Sequence, residues 1–138
     1  MPDQLILISH AGEDTWIAKQ IARGVRERGG QPFLDQADID IGEDFEDEIL
    51  RFLDMAHELV VLFTPWSLDR PYVWMEIGAA WSRRLPIVVI LHGLTAAELQ
   101  RRPNMPVHLK KRVMIPLNEV DNYLDQLRGR VAGERENG

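Results

Sequence analysis

The chain has 138 residues, with 22 acidic and 16 basic side chains, a formal net charge of −6 and no cysteine. That length accommodates one hydrophobic core rather than two, and the negative balance disfavours a groove for a phosphate backbone, so nucleic acid is not an expected partner. Without cysteine there is neither a disulfide framework nor a thiolate metal site. No apolar run approaches the ~20 residues that span a bilayer, and Asp3 stands ahead of the first apolar run where a signal peptide has basic residues. The expected location is the cytoplasm, with no membrane partner.

In chain order, Leu5 to Ile8 is a continuous apolar run, which suits a strand covered on both faces. Asp14 or Thr15 is predicted to cap a helix striped by Ile17, Ile21 and Val25, and Gly29-Gly30 ends it. Gln31 to Leu34 reads as a second strand. A loop from Asp35 to Glu43 leads to a helix starting near Asp44, with Phe45, Ile49 and Leu53 on one face. Leu59 to Phe63 is the third strand. Pro71 suits the first turn of the next helix, which spans roughly Tyr72 to Arg84. Ile87 to Leu91 is the fourth strand. A loop follows from His92 to Pro106, with one helical turn near Ala96 to Leu99. Val113 to Ile115 is the fifth strand, stopped by Pro116, and Val120, Tyr123, Leu124, Leu127 and Val131 stripe the last helix. Residues 132–138 read as a frayed, disordered tail, leaving a single domain over 1–131.

Five short strands interleaved with helices predict an α/β fold with a doubly wound, five-stranded parallel sheet. Ligands of such sheets sit beyond the carboxyl ends of the strands, where the strand order reverses. The loops after Ile8, Leu34, Phe63 and Leu91 are therefore the places to search.

Several familiar sites are excluded. The loop Ser9 to Asp14 holds one glycine and matches neither GxGxxG nor GxxxxGK[ST]. A receiver domain wants an aspartate ending strand three and a lysine after strand five, where this chain has Phe63-Thr64 and Pro116-Leu117. Asp38 to Gly42 imitates a calcium loop, but the glycine falls fifth and Ile49 occupies the twelfth position, so no metal is expected there. Of the four histidines, His57, His92 and His108 read as structural or solvated. His10 follows a buried strand at the ligand edge and stands equally as a ligand contact or a structural residue.

The segment Tyr72 to Trp81 is the most informative. Glu76 is an acid among large apolar and small residues near a helix start, with Tyr72 one turn before it. A carboxylate there is expected to be partly desolvated, which favours its protonated form. Two readings stand side by side: a functional acid, or a structural partner for Arg83 or another basic residue.

At this point the chain resembles the TIR (Toll/interleukin receptor) domain family. ILISHAGED is similar to the family's opening motif, FLDQADIDIGEDFEDEI to its strand B, BB loop and helix B, and ELVVLFTPWSLDRPYVWMEIGAA to the region holding its catalytic glutamate. VMIPLNEVDNYLDQL is a weaker match. The resemblance implies a flavodoxin-like fold and NAD cleavage of the bacterial type, in antiviral defence or signalling. It assigns Glu76 as catalytic, Tyr72 as the aromatic of the aromatic-x-x-x-Glu pattern, and Ser9, His10, Ala11, Gly12 and Asp40 as contacts to NAD, with Gly42 as the loop glycine. The aromatic is often tryptophan in the family; here it is tyrosine, with Trp74 out of register. The basic residues that some members carry after the first strand are replaced by Ala11 and Gly12. The resemblance also implies self-association through surfaces including Asp35 to Asp44, and a separate sensor or effector partner.

One carboxylate is enough for such a reaction. Glycosidases need an acid to protonate the leaving group and a second carboxylate opposite it. The nicotinamide of NAD is cationic while attached and leaves neutral, so stabilising an oxocarbenium-like ribose is the remaining task. NAD is then the substrate, and no cofactor is expected. Two rivals stay open: a non-catalytic TIR interaction module, and a nucleoside deoxyribosyltransferase-like enzyme that also uses a glutamate on an α/β scaffold.

Overall fold

Strand β1 (Leu5–Ser9) lies inside the sheet, flanked by β2 (Gln31–Leu34) and β3 (Glu58–Phe63). In the computed structural model, which describes residues 4–34, 45–103 and 114–137, the sheet continues through β4 (Ile87–Leu91) to β5 (Met114–Pro116). All four pairings are parallel and the order is β2-β1-β3-β4-β5. The chain steps outward from β1 to β2, then returns past β1 to β3. The reversal therefore falls between β1 and β3, and Ser9 opposite Val61 is the last pair of that ladder.

The apolar strands need cover on both faces, and helices supply it. On one face Leu7, Leu59, Val61, Phe63 and Val89 pack with Ile49 and Leu53 of α2 (Phe45–Met55) and Val73, Ile77 and Ala80 of α3 (Pro71–Ser82). On the other, Ile6, Ile8, Val60, Leu62 and Ile90 meet Ile21 and Val25 of α1 (Thr15–Glu27) and Leu124, Leu127 and Val131 of α5 (Val120–Asn137). Each of the larger of these side chains, removed from water, contributes about 1.5–3 kcal/mol toward ordering the chain. Gly24 lets α1 approach α5 closely, since a Cβ there would lie 2.5 Å from Leu124 Cδ1. At the amino end of β3, buried Glu58 accepts hydrogen bonds from the Tyr123 hydroxyl and from Arg130 Nη2, tying α5 to the sheet.

The differences from the sequence reading are local. A 3-10 turn over Gly12–Asp14 precedes α1, and neither Asp14 nor Thr15 caps it as predicted: Asp14 makes no side-chain cap bond, and Thr15 Oγ1 donates back to the Gly12 carbonyl at 2.7 Å. Gly29, in the turn between α1 and β2, has φ 89°, the left-handed region that glycine tolerates. The expected turn near Ala96 is α4 (Ala96–Gln100), capped by Thr95, whose hydroxyl accepts from the Glu98 N–H. Pro116 closes β5 from within rather than stopping it from outside, and α5 runs helical to Asn137, through most of the stretch read as a frayed tail. Among the described residues, no helix is long and apolar enough to cross a membrane.

Candidate functional site

Four side-chain interactions tie the end of β1 and the turn after it to the segment between β3 and the first turns of α3. Ser9, the last residue of β1, is fully buried, and its hydroxyl donates to Glu76 Oε1 at 3.0 Å. Glu76 is itself fully buried on α3, the helix that follows β3. The Tyr72 hydroxyl, one turn earlier, donates to the His10 carbonyl at 2.7 Å. Thr64 Oγ1, just past β3, donates to Asp14 Oδ2 at 2.5 Å, both groups being buried. The Arg70 guanidinium pairs with Glu13 at the rim. The acid thus sits at the switch point, where the sheet opens.

Local chemistry explains why α3 presents Glu76 there. Pro71 occupies its first turn, where a missing N–H costs nothing. Before it, a turn over Ser67–Asp69 is locked by reciprocal bonds: Ser67 Oγ accepts the Thr64 N–H at 2.8 Å and donates to the Thr64 carbonyl at 3.2 Å. Trp74 Nε1 donates to the Leu68 carbonyl at 2.9 Å, pinning the turn to the helix. The small residues Gly78 and Ala80 follow, and Ala80 packs against the sheet.

The predicted residues fall into three groups. Ser9, Tyr72 and Glu76 are brought together at the carboxyl edge, Tyr72 half-buried. His10 and Ala11 belong to the same turn but are fully buried, His10 with Nδ1 3.4 Å from the Ile8 carbonyl, so of this stretch Gly12 is the residue exposed to solvent. Asp40, Gly42 and the rest of the loop from Asp35 to Asp44 lie outside the described residues. The alternative in which Arg83 neutralises Glu76 is overturned, because Arg83 Nε donates to Asp54 of α2 at 2.6 Å. His57 is structural: its Nδ1 accepts the Leu5 N–H at 2.9 Å. His108 is outside the described residues. Sequence reasoning missed the Asp14–Thr64 bridge and the Arg70–Glu13 pair. The available signal was polar residues at the ends of two wholly apolar strands, which says that they share an edge but not that they touch. Among the described residues, no cluster of acids and histidines is arranged to hold a metal ion.

A family model, that of the TIR domain, matches residues 6–129. The chain belongs to the TIR domain family. The TIR domain of the Toll-related receptor TRR-2 from Hydra magnipapillata is similar over 89% of this chain and 97% of its own, with a TM-score of 0.68 and 18% identity. A metazoan TIR-STING receptor from C. gigas is similar over 88% of this chain with a TM-score of 0.69 and 19% identity, and this TIR domain spans 39% of that receptor chain. A 2-deoxyribosyltransferase from Bacillus psychrosaccharolyticus is also similar, with a TM-score of 0.66, 14% identity and coverage of 86% of this chain and 91% of that one. At these identities the likeness is one of fold, and the fold is shared by TIR domains and that transferase. Among curated proteins, none matches the chain by sequence.

Proposed function

We propose that this TIR domain is an NAD nucleosidase in which Glu76 cleaves the bond between nicotinamide and ribose. The observation that carries the reading is a carboxylate fully buried at the β1–β3 switch point with a hydroxyl on its Oε1. A sugar hydroxyl can take the place that the Ser9 hydroxyl now holds. In that pose the pair of electrons in the C1′–N bond goes to the pyridinium nitrogen, which leaves as a neutral ring. The cationic ribose left behind is stabilised by the carboxylate, whose field acts strongly in a site screened from water. Tyr72 supplies an aromatic wall one turn away, anchored through its hydroxyl. Water adding to C1′ gives ADP-ribose, with its proton passing to Glu76; an internal hydroxyl or ring nitrogen gives a cyclic isomer. The family setting fits cytoplasmic antiviral defence or signalling, with activity raised by self-association through the loop from Asp35 to Asp44 and triggered by a separate sensor protein.

The test is chromatography of NAD incubated with the purified protein beside Glu76→Ala, over a wide range of protein concentration and with crowding agents. Release of nicotinamide that grows with concentration and vanishes in the variant is the expected result. Equal release by both proteins removes Glu76 from the mechanism. Base exchange on deoxynucleosides without NAD cleavage transfers the site to the deoxyribosyltransferase class, and inertness toward both makes the domain an interaction module.

A further inference from the structure

A dinucleotide brings a diphosphate to the site, and the turn after β1 offers it no cation. Residues 9–12 are Ser, His, Ala and Gly, and the next is the acid Glu13. We infer that Arg70 binds the diphosphate of the substrate, and that Glu13 holds its guanidinium in place until the substrate arrives. This rests on the reading of the site as one for a dinucleotide.

Arg70 is fixed by its backbone on both sides. Its N–H donates to the Ser67 carbonyl at 3.1 Å, and its own carbonyl accepts the Val73 N–H at 3.1 Å. From that anchor the guanidinium reaches across to Glu13 in the turn that follows His10. Tyr72, two residues on, reaches the same segment through the His10 carbonyl. Arg70 stands six residues before Glu76, a rise of about 9 Å along a helix, so the reacting ribose and the diphosphate next to it fall within reach of one element. With the reacting ribose carbon at Glu76, the phosphate on the far side of that ribose comes toward the start of α3, where an arginine's long side chain can meet it.

The energetics favour exchange. The pair is half-exposed at both ends, 41% for Arg70 and 37% for Glu13, and solvent screening leaves such pairs weak. A diphosphate offers the planar guanidinium two oxygens at once and more charge than one carboxylate. Glu13, once released, is near enough to solvent to be hydrated. Asp14 does not compete for the arginine, because it is buried on Thr64. On a chain of net charge −6, a guanidinium released at this edge also favours the approach of an anionic substrate.

The test uses ADP-ribose as the probe, titrated calorimetrically into the full chain and into Arg70→Gln, Arg70→Lys and Glu13→Gln, with thermal stability recorded for each. Arg70→Gln is expected to weaken binding at least about tenfold, Arg70→Lys to recover part of the loss, and Glu13→Gln to tighten binding severalfold. A merely structural tie has a different signature: both glutamine variants lower stability together and shift affinity in the same direction, and that result overturns the assignment. No binding by the wild-type chain overturns it as well. Turnover of NAD in the same preparations separates this inference from the proposed function. Arginine-dependent ADP-ribose binding without NAD cleavage keeps Arg70 and sinks the nucleosidase. NAD cleavage with an unchanged KM in Arg70→Gln keeps the nucleosidase and sinks Arg70.

Discussion

Replacing Thr64 by valine tests whether the buried bridge to Asp14 holds the site together. Valine nearly matches threonine in shape, so packing is preserved and the hydroxyl alone is lost. That hydroxyl donates to Asp14 Oδ2 at 2.5 Å and accepts the N–H groups of Trp66 and Ser67 at 3.2 and 3.3 Å. Asp14 is only 5% exposed, so water cannot replace the donor. Loss of a hydrogen bond to a buried charge costs about 1.5–3 kcal/mol, and stranding the Ser67 N–H adds about 1 kcal/mol. The Trp66 N–H is partly exposed and adds less. The expected penalty is about 3 kcal/mol, a fall of about 10 °C in Tm for a domain of this size. Thr64→Ser keeps the hydroxyl and loses one buried methyl, worth about 1 kcal/mol. Urea unfolding followed by circular dichroism measures both. Valine and serine variants of equal stability would refute the idea that Asp14 needs this donor.

Other consequences are as direct. Burial, and then the adjacent Glu58 charge, push the Tyr123 phenol well above the usual tyrosine range. The folded chain keeps this proton where the unfolded chain releases it, so the stabilisation is complete below about pH 10 and is lost as pH rises beyond it. Tyr72→Phe leaves Tyr123 as the one tyrosine, and phenolate absorbance should then appear together with alkaline unfolding; titration ahead of unfolding contradicts the buried placement. Glycines on two helices should behave oppositely. Gly78 has open space where a Cβ would sit, so Gly78→Ala should raise stability by about 0.5–1 kcal/mol, whereas Gly24→Val drives into Leu124 and should lower it by at least about 1 kcal/mol. Both are read from thermal melts, and a destabilising Gly78→Ala would show that α3 is not exposed there.

Strands β1, β3 and β4 were legible because each is short, largely aliphatic and covered on both faces, a pattern that a solvent-facing strand cannot carry. The strand order was not, since β1 lies between β2 and β3 through contacts 20 or more residues apart in sequence, which no local rule encodes. The same limit separates Glu76 from its hydroxyl. An acid in an apolar helix marks itself as unusual, but Ser9 is 67 residues away and meets it only once β1 and α3 are both placed. Asp14 shows a local rule losing to tertiary structure. It stands where a helix cap belongs, yet its carboxylate turns to Thr64, 50 residues on. The end of α5 shows the converse. Its apolar stripe stops at Val131, but the residues beyond include alanine, glutamate and arginine, whose intrinsic preference is for helix.

The most direct measurement is the rate of nicotinamide release from NAD by Glu76→Gln beside the wild-type chain, at the protein concentration where the wild type is most active. Glutamine keeps the size and a hydrogen-bond acceptor for Ser9 while removing the negative charge, so a folded variant with a matching melt should lose at least about a hundredfold in rate. Release within a few-fold of wild type would mean that the buried carboxylate does not stabilise the ribose cation left behind when nicotinamide departs.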